Sequence, residues 1–185
     1  MPSLYIGGTE LLDPVALLER LGVRAGMRVA DLGCGVTGHY VIPAARMVGP
    51  EGRSYAVDIQ KPVLAAVESR AKLERLSNIG YVWSDVERVG ATRIDPATLD
   101  VVLVVNTLFL TKERASVLRE SARLVKSGGL VVVVEWKTDA TAVGPAADQR
   151  VGKDAIRAAA QVAGLTEREE FVAGPYHVGI IFVKS

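Results

Sequence analysis

The sequence predicts an α/β domain: a doubly wound, mostly parallel seven-stranded sheet that ends in a C-terminal antiparallel hairpin. Three observations carry this. Segments of strand type alternate with segments of helix type along the chain. Residues 100–106 and 130–136 contain continuous valine and leucine runs, the mark of strands buried on both faces beneath helices. Residues 165–172 and 178–183 also read as strands, and the link between them is too short for a parallel crossover, so they pair as a hairpin.

The elements follow in order. Asp13 followed by Pro14 is an N-cap with proline at the first helical position, and starts a helix to about Leu21. Residues 28–32 form the first strand and residues 33–38 a glycine-rich turn. Residues 39–48 read as a helix, with Pro43 tolerated in its first turn. A turn at 49–52 leads to the second strand, 53–58. Residues 61–76 read as a helix opening at Pro62, with Val63, Val67 and Ala71 on one face. Residues 78–84 and 100–106 are the third and fourth strands. Thr111 is read as the cap of a helix whose Leu118, Ala122 and Val125 recur at i, i+4 and i+7. Ser127-Gly128-Gly129 turns into the fifth strand. Residues 153–163 form the last helix, striped by Ile156, Ala159, Ala160 and Ala163. No repeat or linker divides the chain, so residues 1–185 are read as one domain, with 1–20 as a segment placed over its functional site.

Composition narrows the function classes. Of the 185 residues 49% are hydrophobic and 23% charged, which suits a folded globular chain. The 22 Lys and Arg against 21 Asp and Glu leave a net charge of +1, which argues against a dedicated DNA or RNA binder. One cysteine, Cys34, excludes an internal disulfide and a thiolate zinc cluster, and two histidines leave little for a metal site. The N-terminus has no basic region followed by an apolar stretch. No apolar run approaches the roughly 20 residues of a membrane span. The expectation is a cytoplasmic protein with no metal.

In open α/β sheets, ligands bind beyond the carboxyl ends of the strands. Those ends carry Asp31-Leu32-Gly33, Asp58, Ser84-Asp85, Asn106-Thr107 and Glu135-Trp136. One polar strand end means little, because strand ends meet solvent. Five together beside a glycine turn point to a cofactor. Gly33-x-Gly35-x-x-Gly38 matches the dinucleotide fingerprint, with Asp58 standing where a ribose-binding acid belongs. Asp31, however, would repel a pyrophosphate and suits a cationic ligand. With Asp85, the acidic rim suits S-adenosylmethionine, which offers a sulfonium, an ammonium, a ribose diol and an adenine amino group. Cys34, Trp83 and Trp136 read as packing residues, and Glu135 and His177 are also open to purely structural readings.

Val29-Ala30-Asp31-Leu32-Gly33-Cys34-Gly35 resembles motif I of class I S-adenosylmethionine-dependent methyltransferases. Tyr55-Ala56-Val57-Asp58-Ile59 and Trp83-Ser84-Asp85-Val86 resemble the second and third motifs. Asp100-Val101-Val102 and Leu124-Val125-Lys126-Ser127-Gly128-Gly129-Leu130 resemble the fourth-strand motif and the turn into strand five. The resemblance runs from about Gly22 to the end. Within the superfamily, Glu135-Trp136-Lys137-Thr138, Gly144-Pro145 and Gly174-Pro175-Tyr176-His177 are similar to the small UbiE-like group. One departure is that Thr37 stands where the family places its third glycine, and Gly38 follows it.

The resemblance implies the Rossmann-like methyltransferase fold and roles for particular residues. Asp31, Gly33 and Gly35 bracket the methionine part of the cofactor. Asp58, with Ile59 beside it, holds the ribose. Asp85 and Val86 bind adenine, and Asn106 meets the methionine end and faces the acceptor. Glu135 and His177 are the catalytic candidates, with His39, Tyr5 and Tyr40 also near the rim. If His177 is a base, activity falls as pH drops through its unperturbed pKa near 6.5. Residues 139–151 read as a mobile flap. The expected partner is a small-molecule acceptor in preference to RNA, with no DNA and no membrane span, on a monomer or homodimer. Two other readings stay open. One is a fibrillarin-type RNA 2′-O-methyltransferase, which shares Val48-Gly49-Pro50-Glu51-Gly52; the other is a non-catalytic cofactor-binding subunit.

Overall fold

Valine, leucine and isoleucine crowd the strands because both faces of the sheet are covered. The computed structural model describes residues 12–139 and 143–185. Its strands are β1 (Arg28–Leu32), β2 (Arg53–Asp58), β3 (Ile79–Trp83), β4 (Leu99–Val105), β5 (Val125–Trp136), β6 (Leu165–Ala173) and β7 (His177–Lys184). They form one seven-stranded sheet in the order β3-β2-β1-β4-β5-β7-β6. Strands β1 to β5 pair in parallel, whereas β7 is antiparallel to both β5 and β6. The predicted doubly wound sheet with a closing hairpin is therefore observed. The order reverses between β1 and β4, which opens a crevice at their carboxyl ends.

Among the described residues, five helices cover the sheet: α1 (Pro14–Arg20), α2 (Val41–Val48), α3 (Lys61–Leu73), α4 (Arg114–Leu124) and α5 (Lys153–Val162). Successive residues of β4 show how the core divides. Val102 and Val104 pack with Leu118 of α4 and Ile156 of α5. Val101 and Leu103 pack with Leu18 of α1 and Ala44 of α2. Alternate side chains of a strand point to opposite faces, so a strand with two apolar faces needs an unbroken apolar run. Val41 and Ile42 of α2 join Leu64, Val67 and Ala71 of α3 in a third cluster. Among the described residues, no helix is long and apolar enough to cross a membrane.

Helix boundaries follow local chemistry. The Asp13 carboxylate accepts hydrogen bonds from the amides of Val15 and Ala16, 2.9 and 3.1 Å away, and starts α1 as predicted. Helix α2 begins at Val41, two residues after the expected start, because the glycine turn runs on through Tyr40. Helix α3 stops at Leu73 rather than at 76, since Arg75 takes a left-handed φ of 56°. Thr111 does not cap α4: its hydroxyl donates to the Leu108 carbonyl at 3.1 Å, and the helix starts at Arg114. Instead the carboxylate of Glu87 accepts the amides of Lys112 and Glu113 at 3.2 and 2.9 Å. An acid from another segment thus stabilises the helix start.

The β3–β4 connection has no helix of its own, and a buried ion pair holds it. Glu120 of α4 is fully buried and accepts the amides of Gly90 and Thr92 at 2.7 and 3.1 Å. Arg123 donates to the same carboxylate through Nε and Nη2, both at 2.8 Å, and to the carbonyls of Thr92 and Ile94. Burial alone raises the Glu120 pKa, but these donors outweigh it and hold the group below the usual carboxylate range. Its stabilising contribution is therefore present above the ordinary carboxylate pKa and is lost as pH falls through the lowered folded value. Glu120→Gln should destabilise the fold, by less than the roughly 3–5 kcal/mol of a fully buried pair because Arg123 keeps some solvent contact. Urea unfolding measures the loss, and hydrogen exchange should quicken in residues 87–99.

Candidate active site

The glycine turn after β1 is shaped by close contacts. Gly33 (φ 83°) and Cys34 both donate to the carbonyl of Val57, at 2.8 and 3.1 Å. A Cβ on Gly33 would lie 2.6 Å from Oγ1 of Thr107, whose hydroxyl is hydrogen-bonded to the Leu32 carbonyl at 3.0 Å. Gly35 (φ 63°) has open space where its Cβ would be, so a ligand can approach its backbone. Gly38 (φ 56°) lies close against α3: a Cβ there would come within 2.9 Å of Val67. Gly38 therefore provides the close packing associated with a third glycine. The additional residue, Thr37, is pushed out to the exposed surface, where its carbonyl accepts from Arg70 at 2.8 Å.

A cavity of about 600 Å³ opens at the carboxyl ends of β1 to β4, within the size range of small-molecule sites. Asp31, Gly33, Gly35, Asp58 and Ile59 line it from β1 and β2, and Asp85, Val86 and Asn106 from β3 and β4. All eight residues expected around a cofactor thus meet in one space. Asp58 accepts the amide of Gln60 at 2.9 Å and that of Gly35 at 3.4 Å. These contacts leave carboxylate lone pairs for a diol. Asn106 sits at a left-handed φ of 50°, a conformation that asparagine tolerates better than most residues. Trp83, exposed beside the mouth, donates from Nε1 to the Ile59 carbonyl at 2.7 Å and steadies that wall.

Electrostatically, the deepest wall needs a positive partner. Asp31 is buried, and its Oδ1 has no hydrogen-bond partner among the described residues. Burial first, and the nearby Asp58 charge second, push its pKa up to about 7. A cationic ligand group placed there would stabilise the ionised form. The same burial and acids push the Cys34 thiol up, away from thiolate chemistry, as its packing reading expects. The donor set therefore fits S-adenosylmethionine: acids for the cationic methionine end, Asp58 for the ribose and Asp85 with Val86 for the base. Among the described residues no group of three or more His, Cys, Asp or Glu could hold a metal.

Comparison with known proteins gives the family and the fold. Residues 30–133, more than half of the chain, match the family described as "Methyltransferase domain". The chain belongs to the methyltransferase domain family. It is 32% identical over 145 residues to the ubiquinone/menaquinone biosynthesis C-methyltransferase UbiE of Idiomarina loihiensis, covering 77% of this chain and 55% of that protein. It is 30% identical over 118 residues to a demethylmenaquinone methyltransferase of Geobacillus sp., covering 64% and 49%. The methyltransferase domain thus spans about half the length of the curated relatives it matches. Its fold matches the crystal structure of a SAM-dependent methyltransferase from Aquifex aeolicus with a TM-score of 0.87, 24% identity, and coverage of 96% and 92%.

Two expected catalytic residues in this methyltransferase domain occupy different settings. Glu135 does not line the cavity. It is fully buried, and its Oε1 accepts the Leu108 amide at 2.6 Å, so it holds the one-turn helix Leu108–Leu110. Burial, opposed by that amide and those of neighbouring residues, pushes its pKa up to about 7. His177 does line the cavity, from the start of β7. His39 also lines it and pairs with the Leu12 carbonyl at 2.9 Å, while Tyr40 stands beside it. Tyr5 lies outside the described residues, as do the rest of residues 1–11 and positions 140–142 of the expected flap. Thr107 was missed as a site residue, although its place after Asn106 at a strand end was a signal.

The pH expectation for His177 needs correction. Burial first, then the charges of Lys137 and Arg150, push its pKa down from 6.5 to about 4. The unfolded chain binds this proton more readily, so stability falls as pH drops from about 6.5 toward 4. No loss of activity near pH 6.5 is therefore expected from this ring. Proton NMR should show the His177 ring unchanged between pH 8 and about pH 5. A titration midpoint near 6.5 would contradict the burial argument.

Proposed function

We propose that this chain transfers a methyl group from S-adenosylmethionine to a small-molecule acceptor. The observation that carries the reading is the pair Asp31 and Asp58, set in the carboxyl-terminal halves of adjacent parallel strands and facing one cavity. When bound, the cofactor supplies a methyl group activated by its positive sulfur. The chain's residues bind, orient and exclude water. Asp31 faces the cationic end, Asp58 the ribose hydroxyls, and Asp85 with Val86 the adenine. Asn106, at the switch point, borders both the cofactor and the acceptor. Bound there, the cofactor would supply its methyl group to an in-line displacement, with the bonding electron pair left on sulfur and the acceptor's proton passing to solvent, while the wall residues hold the two reactants in line. Glu135 serves by positioning the Thr107–Leu110 wall of the cavity.

Support for a small acceptor comes from apolar groups on the wall, Leu12, Val105 and Leu110, and from the net charge of +1. The similarity to quinone-biosynthesis methyltransferases points in the same direction. Calorimetry should detect S-adenosylhomocysteine binding. Asp58→Ala should weaken it roughly 10- to 150-fold, the equivalent of about 1.5–3 kcal/mol for hydrogen bonds to a charged group. An unchanged affinity in a folded variant would remove Asp58 from the site. Incubation with tritiated S-adenosylmethionine should label small molecules of a metabolite extract. Label appearing in RNA would favour the fibrillarin-type reading, and binding without any transfer would favour a non-catalytic subunit.

A further inference from the structure

Two buried polar side chains on the cavity wall have no task once the cofactor's groups are assigned. Tyr40, at the start of α2, is 3% exposed, and its hydroxyl has no partner among the described residues. His177, the first residue of β7, is fully buried, and neither ring nitrogen has one. Buried polar groups are nearly always hydrogen-bonded, so two such side chains on one cavity call for a ligand that satisfies both. They border the same space as the apolar Leu12 and Val105.

His177 is also braced from behind. Its register partner in β5 is Trp136, and the two rings lie 4.1 Å apart. Gly144, at φ 97°, lies so close to the other ring that a Cβ would come within 2.5 Å of Trp136 Cε3. Arg150 ties the same loop together by donating to the carbonyls of Lys137, Val143 and Pro145, at 2.8 to 3.0 Å. A side chain held by packing and a bonded loop is suited to orienting a ligand. The charged groups that act on the ring are Lys137 and Arg150, both cations. Glu135, the nearest strand-end acid, is turned into the Leu108 amide. Tyr40, by contrast, lies in the field of the Asp31 and Asp13 carboxylates, so the two side chains offer hydrogen bonds between cations on one side and acids on the other.

We propose that Tyr40 and His177 form the methyl-acceptor subsite and select a molecule with an apolar body that presents an uncharged O–H or N–H. The proposal rests on the methyltransferase reading. A neutral imidazole and a phenol can each both donate and accept, which complements a hydroxyl or a neutral N–H.

The test uses the full chain saturated with S-adenosylhomocysteine, and phenol and toluene as probes of similar size. With two histidines in the chain, one His177→Gln variant assigns the ring nitrogen signals. Phenol should bind about tenfold more tightly than toluene and shift the His177 ring nitrogens, the scale expected of one hydrogen bond. Tyr40→Phe, which keeps the ring that packs in the core, should cut phenol binding roughly five- to tenfold and retain S-adenosylhomocysteine binding. Equal binding of the two probes, or unchanged phenol affinity in Tyr40→Phe, would overturn the proposal. Should His177→Gln fail to fold, Tyr40→Phe decides alone. Failure of the unmodified chain to bind S-adenosylhomocysteine would overturn the methyltransferase reading, and this proposal with it.

Discussion

Parallel pairing of β1 to β5 brings all five carboxyl ends to one edge of the sheet, and the site follows from that constraint. Asp31 is the penultimate residue of β1 and Asp58 the last of neighbouring β2, so the two acids share one cavity. Switching from β1 to β4 opens the crevice between them. Gly33 makes the turn at that point against Thr107, and Gly35 leaves its backbone open. The turn, the acids and the crevice are consequences of one topology, not separate features.

That arrangement is unfavourable for the chain alone. Asp31 is buried near a second acid, Asn106 adopts a left-handed backbone, and Tyr40 and His177 lack partners among the described residues. Each departs from what folding prefers, and they gather on one wall. The surrounding structure holds them: valine-filled strands below, the Glu120–Arg123 pair on the β3–β4 connection, and the Arg150-clasped loop behind Trp136. A ligand that offers a cation, a diol and hydrogen-bonding groups would satisfy most of the wall at once.

Much of this was legible in the sequence because it depends on neighbours in the chain. Valine runs reveal β4 and β5, and a short link reveals the β6–β7 hairpin. Acids at strand ends are found by locating the strand ends. What was not legible depends on contacts between distant segments. Glu120 and Arg123 read as an ordinary helical pair until the loop at Gly90 and Thr92 is seen against them. Glu87 caps a helix 25 residues away, and so displaces Thr111 from that task. Glu135 stands at a strand end, but the Leu108 amide captures its carboxylate. The ring of His177 titrates lower than its residue type suggests because β5 and the Arg150 loop bury it.

The central claim is that Asp31 receives a positive charge. It is most directly tested by calorimetry of S-adenosylmethionine binding near pH 7, in two buffers of different ionisation enthalpy. Free Asp31, with a pKa of about 7, is partly protonated there, and a cation beside it lowers that value. Binding should release protons, affinity should rise between pH 6 and 8, and Asp31→Asn should abolish the release. A proton exchange that Asp31→Asn leaves unchanged, or an affinity that rises as pH falls, would mean that no cation sits beside the carboxylate and would contradict this assignment.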